Sequence, residues 1–391
     1  MIPAYDVVII GGGPAGATAA TDLAHKGHKV LLLDKAGRIK PCGGAVPPRL
    51  IQDFAIPDDM LVAKATSARI ISPTNRAVEM PVGDGFVGMV DRGSFDEWLR
   101  NRALLAGAER LEGTYEAIER DADNKALVRF RDASGKLCHV EARLVIGADG
   151  ARSAVARGEI PGAGRMHCVF AYHEVIASPD AASGFDGSRC DVIYQGQISP
   201  DFYGWVFPHG GQTSVGVGSA RKGFALRDAV KTIRRNSGLT DAETVRGEGA
   251  PIPLKPLKRW DNGRDVIVVG DAAGVVAPAS GEGIYYAMSS GRMAADAGAQ
   301  FLATGDVRTL KLARKQFMKE HRTVFAVLGM MQYFWYSSDK RRERFVTMCD
   351  DADVQKLTWD AYMNKRLVRR KPMAHAKIFF KDMAHLMGIA A

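Results

Sequence analysis

Cysteine is scarce in this sequence, and its spacing suggests no pairing. Cys42, Cys138, Cys168, Cys190 and Cys349 stand far apart, with no C-x-x-C among them. Neither a disulfide framework nor a zinc site is supported, and no metal is expected. A reducing, cytoplasmic setting fits such usage. Long apolar runs are missing as well. No stretch reaches about 18 uninterrupted apolar residues, the length a membrane-spanning helix needs. The longest candidate, Val324 to Tyr336, is interrupted by Gln332. The opening residues, Met-Ile-Pro-Ala-Tyr-Asp, lack the basic start of a secretory signal and lead straight into a strand. No internal repeat is visible.

What remains is a chain of 391 residues, 46% hydrophobic and 25% charged. That composition excludes a disordered, collagen-like or low-complexity scaffold. At roughly 100–200 residues per domain, the length suits two domains with an appendage. Lys plus Arg number 53 against 44 Asp plus Glu, a net charge of +9. Part of the excess sits at the end, where Lys365 to Ala391 holds seven Lys or Arg and one acid. A solvated basic tail is the plain reading. Contact with an anionic membrane surface or partner is the sharper one.

Tyr5 to Ile10 reads as a buried parallel strand that runs into Gly11-Gly12-Gly13-Pro14-Ala15-Gly16. Ala17 to Lys26 then reads as helix, and Lys29 to Leu33 as a second strand ending in Asp34. Gly11, Gly13 and Gly16 satisfy G-x-G-x-x-G. The first permits the tight turn, the second lets a pyrophosphate approach the backbone, and the third lets helix and strand pack closely. The helix N-terminus faces the phosphates, and Asp34 stands where an acid bonds a ribose hydroxyl. This fingerprint does not choose between NAD and FAD; two later segments do. Leu144 to Ser153 ends a strand at Asp149-Gly150. Val266 to Val269 is a strand followed by Gly270-Asp271-Ala272-Ala273-Gly274, after which Gly281-Glu282-Gly283-Ile284 opens a helix over Tyr285 to Ala299. Asp271 can accept from a ribityl hydroxyl. The Gly283 and Ile284 amides begin a helix whose positive end suits a flavin's electron-rich edge.

In this order and spacing, the three motifs resemble the FAD-dependent aromatic-hydroxylase-like superfamily, over about residues 1–300. The resemblance implies an α/β fold. Its FAD-binding domain is Rossmann-type and p-hydroxybenzoate-hydroxylase-like, with an inserted antiparallel β substrate domain and a C-terminal helical region. It also implies FAD contacts at Gly11, Gly13, Ala15, Gly16, Asp34, Asp271, Gly283 and Ile284. Arg92, opening the helix of Asp91-Arg92-Gly93-Ser94, matches a pyrophosphate contact, and Glu116 in the run Gly113 to Ile118 matches a backbone contact to FAD. Hydroxylases of the superfamily usually carry a His after Gly-Asp-Ala-Ala; here the residue is Gly274.

Two more segments narrow the resemblance. Pro41-Cys42-Gly43-Gly44-Ala45 and Tyr203-Gly204-Trp205-Val206-Phe207-Pro208 are similar to the geranylgeranyl reductase branch. The basic stretch from Lys365 to His375 is similar to its chlorophyll and bacteriochlorophyll type, which extends the resemblance over essentially the whole chain. The family implies Cys42, Gly43 and Ala45 at the flavin, Cys42 as a candidate proton donor, and Tyr203, Trp205 and Phe207 at the substrate. On a strand these three aromatics share one face, which suits the wall of a slot for an isoprenoid chain. Ordinary core packing is the competing reading. Cys42 has two readings too: a small buried hydrophobe, or a thiol placed against the cofactor by a turn-prone segment. Lys40 would lower its pKa if close, though exposure of Lys40 is the simpler expectation.

The activity implied is reduction of a geranylgeranyl chain to phytyl, three C=C bonds, with FAD and NADPH. The substrate is either geranylgeranyl-(bacterio)chlorophyll or geranylgeranyl diphosphate. The alternatives are a flavin monooxygenase acting on an aromatic or isoprenoid substrate, and a non-catalytic flavin sensor, DNA-binding protein or pigment carrier using the basic tail. No nucleic-acid fold is recognisable and no nucleic acid is expected. The motif positions divide the chain into an FAD domain (1–60, 88–160 and 258–305), a substrate domain (61–87 and 161–257) and a C-terminal helical region (306–391). Pro251 to Pro256 reads as an extended connector. Val324 to Tyr336 reads either as a packed helix or, with Ile378-Phe379-Phe380 and its basic neighbours, as an interfacial element. The second reading would place the protein peripherally on the photosynthetic membrane.

Overall fold

The computed structural model describes residues 2–35, 39–180 and 184–365. Among these, the strands are β1 (Ala4–Ile10), β2 (Val30–Asp34), β3 (Ala45–Val46), β4 (Ala63–Ala65), β5 (Ser67–Ile71), β6 (Ala77–Pro81), β7 (Val87–Met89) and β8 (Glu109–Arg120). They continue with β9 (Ala126–Asp132), β10 (Leu137–Gly147), β11 (Cys168–Ala177), β12 (Arg189–Ile193), β13 (Gly204–His209), β14 (Gln212–Ser219), β15 (Thr244–Pro253) and β16 (Val266–Val268). The helices are α1 (Pro14–His25), α2 (Pro48–Asp53), α3 (Arg92–Leu105), α4 (Ala154–Glu159), α5 (Leu226–Asn236), α6 (Ile284–Thr304), α7 (Lys311–Trp335), α8 (Asp339–Met348) and α9 (Ala352–Asn364).

The first sheet is parallel at its centre. β1 pairs with β2 on one side and β10 on the other, so Val8 lies opposite both Leu31 and Val145. β8 and β16 extend it at the two edges. β8 and β10 are long enough to leave this sheet, and their outer halves sandwich β9 in an antiparallel meander. The continuous apolar run Val7–Ile10 has no polar face because it has no exposed face. α1 and α6 pack together against this sheet. α1 starts on Pro14, whose fixed φ suits the first helical position.

The second sheet runs β15-β11-β14-β13-β12-β5-β6. Every pairing in it is antiparallel except β12 with β5. Pro251 and Pro253 are not a connector: they end β15, opposite Phe170 and Cys168. β15 lies at the edge, where proline's missing N–H does not break a ladder. A small sheet, β3-β7-β4, joins the Cys-Gly segment to the rest.

The stretch from Val324 to Tyr336 belongs mostly to α7, which packs on α6. Phe325, Trp335 and Tyr336 are buried, so of its two readings the packed helix is what the structure has, although Tyr333 is 84% exposed. No helix among the described residues is long and apolar enough to cross a membrane. Ile378-Phe379-Phe380 and the basic tail after Lys365 lie outside the described residues. Lys365, the first residue of that stretch, is not solvated. It is 5% exposed, with its Nζ 3.0 Å from Glu282 Oε2. Burial lowers its pKa and Glu282 opposes that shift. The C-terminal end of α9 thus reaches the loop ahead of α6.

Candidate functional site

The glycine fingerprint has the geometry its sequence demands. Gly11 has φ +104°, and a Cβ there would sit 2.4 Å from the Ala148 carbonyl oxygen. A Cβ on Gly16 would sit 1.9 Å from the Gly11 oxygen, so only glycine lets α1 approach β1. Gly13 is different: a Cβ there meets nothing within 4 Å among the described residues, which leaves the helix mouth open. Ala15 is buried in the first turn of α1. At the tip of β2, the Asp34 carboxylate stands beside Gly12 and accepts from Arg100 at 3.2 Å.

Helix ends give a second test of fit to FAD. α3, α4 and α9 are capped by the side chains of Asp91, Ser153 and Asp351. α1 and α6 begin on Gly13 and Gly283 with no side-chain cap. In α6 the Tyr285 amide is taken by the Glu282 side chain, which leaves those of Gly283 and Ile284, with the first amides of α1, to phosphate and to a flavin's pyrimidine edge. The residues present therefore fit the cofactor. Asp149, by contrast, is occupied: it accepts from the Ala154 and Val155 amides of α4, and burial raises its pKa.

Between these helix ends lies a cavity of about 100 Å3 lined by Cys42, Gly43, Arg92, Asp271, Gly283 and Ile284, with Trp205 on its far wall. Residues from distant parts of the sequence meet there. Arg92 is buried and holds Asp96 through two hydrogen bonds of 2.8 and 2.7 Å. Burial alone would lower its pKa, but Asp96 and Cys42 beside it more than offset this and keep the guanidinium cationic. Lys40 is half-exposed and its ammonium turns to Asp271, not to the thiol. The Cys42 sulfur accepts from the Gly44 amide at 3.4 Å. Ala45 lies just outside the cavity, paired with Met89 in the small sheet. Glu116 is farther away on β8. Its side chain is engaged by Arg129 and Arg131, and a bulge between Tyr115 and Ala117 leaves its backbone out of the ladder.

The aromatic segment lies against the same cavity. Tyr203, Trp205 and Phe207 form a row with ring centres 6.0 and 6.2 Å apart. Phe207 closes on the Cys-Gly turn, where a Cβ on Gly43 would sit 3.1 Å from its ring. At the other end, Tyr194 lies 5.9 Å from Tyr203, and Tyr336 lies 5.0 Å from Tyr194. The polar ends of the row are satisfied. The Tyr203 hydroxyl donates to the Ser280 carbonyl at 2.6 Å and the Trp205 indole to Ser214 at 3.1 Å. Burial raises the Tyr203 pKa far above its ordinary value, so its proton stays in place.

Several residues at the site carry no local sequence signal. His173 on β11 is buried, 2.9 Å from Ser214 and 3.4 Å from Glu248. Together with Cys42, Arg92 and Arg246 it lines a second pocket of about 400 Å3. His173 holds the Glu248 pKa down. His209 borders Gly44, and burial lowers its pKa. Tyr194 and Tyr336 join the aromatic row from separate elements. Gly274 has φ +80°, and a Cβ there would sit 2.3 Å from the Lys255 carbonyl oxygen, so the histidine of the hydroxylases has no room here. No group of three or more His, Cys, Asp or Glu suited to a metal occurs among the described residues.

Comparison with known proteins agrees with this geometry. A family model described as pyridine nucleotide-disulphide oxidoreductase matches residues 5–182. A geranylgeranyl diphosphate reductase of Rhodobacter capsulatus is 59% identical over 98% of this chain and 98% of its own. One from Synechocystis is 35% identical, covering 97% of each chain. Among solved structures, a geranylgeranyl bacteriochlorophyll reductase-like protein from Thermoplasma acidophilum superposes with a TM-score of 0.83 over 96% of this chain and 100% of its own, at 22% identity.

Proposed function

Since the chain belongs to the geranylgeranyl reductase family, we propose that it reduces a geranylgeranyl chain to phytyl, saturating three C=C bonds with FAD as cofactor and NADPH as electron source. The substrate is the chain of a (bacterio)chlorophyll pigment or of geranylgeranyl diphosphate. The observation that carries this reading is the meeting of the Cys42-Gly43 turn with Phe207, between the uncapped ends of α1 and α6 and the aromatic row.

When bound, FAD supplies the hydride for each bond. Each saturation also consumes one proton. An isolated alkene has no carbonyl to hold a carbanion, so protonation leads or accompanies hydride arrival, and positive charge grows on the tertiary carbon. Cys42 is the donor we assign, and it lies beside the buried Arg92 guanidinium on the cavity wall. Trp205 and Phe207 offer ring faces to the transient cation. The buried Tyr203 and Trp205 keep water from it.

The parallel sheet and its helices support assigning 1–60, 88–160 and 258–305 to the FAD domain. The seven-stranded sheet supports assigning 61–87 and 161–257 to the substrate domain. A lipid-partitioning substrate supports peripheral contact with the photosynthetic membrane.

The test is an anaerobic incubation of protein, FAD and NADPH with each geranylgeranyl substrate, read by mass spectrometry. Stepwise gain of hydrogen pairs is expected, and the substrate that gains them is the one accepted. No gain without oxygen, followed by addition of an oxygen atom in air, would replace the reductase with a monooxygenase.

A further inference from the structure

An open groove of about 620 Å3 lies on the outer side of β11 and β15, within the size range of small-molecule sites, roughly 300–1,000 Å3. Its floor is aromatic. Phe170 and Tyr172 alternate on β11 and so share a face, and Phe224 closes the side ahead of α5. Phe170 is 49% exposed, an unusual position for a large apolar ring. The facing strand contributes Gly247 and Gly249, which keep the floor clear: a Cβ on Gly247 would sit 2.6 Å from the Tyr172 hydroxyl. Two cations overhang it. Arg152 comes from the turn before α4, and Arg227 from α5, 5.4 Å from the Tyr172 ring. Both are exposed, and among the described residues neither has a carboxylate partner. The groove is also not remote from the chemistry. Ala171, Ala250 and Pro251 line it and line the Cys42 cavity as well, so the two are separated by a single layer of chain.

Aromatic rings that a base can stack on, two guanidinium groups with no carboxylate partner among the described residues, and a shared wall with the flavin cavity make one combination. We propose that this groove binds the adenosine 2′-phosphate end of NADPH, with the nicotinamide directed across the Ala171–Pro251 wall toward the flavin. The inference rests on the reductase reading above, since that reading supplies the need for a pyridine nucleotide. An isoprenoid diphosphate offers the same phosphate chemistry to Arg152 and Arg227, and the experiment separates the two.

Adenosine 2′,5′-bisphosphate is titrated calorimetrically into the FAD-loaded protein and into the variants Arg152→Gln and Arg227→Gln. Steady-state KM is then measured for NADPH and for geranylgeranyl diphosphate, beside turnover driven by dithionite. Each variant is expected to weaken the bisphosphate and to raise the KM for NADPH about tenfold, the usual loss for one charged phosphate contact. Unchanged affinity and unchanged KM for NADPH in both variants would overturn the site. A rise in KM for geranylgeranyl diphosphate alone would give the groove to the isoprenoid and overturn it equally. Absence of chain reduction with dithionite in the unaltered protein would instead sink the reductase reading, so the two failures are distinguishable.

Discussion

Gly13 and Gly16 stand three positions apart in one loop and are held there by different requirements. Gly16 is needed by the protein itself, because a Cβ would overlap the Gly11 oxygen. Gly13 has an ordinary φ of −74° and no described residue crowds it, so the described fold does not require glycine there. Gly16→Ala should cost about 1–3 kcal/mol of stability by forcing helix from strand. Gly13→Ala should leave the unfolding midpoint of the flavin-free protein unchanged, yet weaken FAD at least about tenfold by obstructing the pyrophosphate. Denaturant melts and fluorimetric FAD titrations on both variants check this; equal stability loss would erase the distinction. Cys42 permits a similar separation. Its sulfur meets Arg92 and the Gly44 amide, and the half-buried side chain only borders the main core. Cys42→Ala should keep the bound-flavin absorbance and lower the rate of chain reduction by at least about a hundredfold, the range for losing a positioned acid. Full activity would remove the thiol from the mechanism.

Among the elements, α9 and α6 are joined by the Lys365–Glu282 pair. Both side chains are almost wholly buried, and Glu282 also accepts from the Tyr285 amide at 2.9 Å, so it fixes the first turn of α6. Tyr362 adds its ring 4.1 Å from the ammonium. Lys365→Met would strand a buried carboxylate and should cost about 3–5 kcal/mol, while adding Glu282→Gln should recover most of that. A double-variant denaturation series measures the coupling, and additive losses would mean the two groups do not interact. This pair also shows where sequence reading stops. Elements whose pattern is local were legible: β1, the α1 turn and the strand before Asp271 follow from unbroken apolar runs and glycine spacing. The row Tyr203, Trp205 and Phe207 was legible from its alternation. Lys365 was not, because a lysine opening a basic run looks solvated until a distant glutamate meets it. His173, Ser214 and Glu248 were equally hidden, since they lie on three strands and converge only through the sheet register of β11, β14 and β15. The Pro251–Pro253 strand was missed because proline signals a break unless the strand is known to be an edge.

At the scale of the whole molecule, the two sheets and the C-terminal helices enclose the aromatic row. Trp359 and Tyr362 of α9 pack in one cluster with Phe207. Trp335, Tyr336 and Phe345 close the opposite end around Tyr194. A geranylgeranyl chain needs far more room than the cavity of about 100 Å3 beside Cys42, since ligand sites run to roughly 300–1,000 Å3. Loading must therefore part the rings from something that covers them. The FAD sheet cannot give way, because its core is continuous from β1 to α6. α9 can: it rests on α2 and on the small sheet, and among the described residues the buried Trp359 indole nitrogen has no hydrogen-bond partner, so nothing there pins its ring. Amide hydrogen exchange should be faster in α9 than in α6 in the FAD-loaded protein, because α9 is only half-buried and is tied down chiefly at its C-terminal Lys365, whereas α6 is buried over most of its length. Geranylgeranyl diphosphate should then change exchange in α9 while leaving β1 and α6 as they were. Unaltered exchange in α9 at saturating substrate would mean the chain enters elsewhere, and the Tyr194–Tyr336 end of the row would become the entrance to examine.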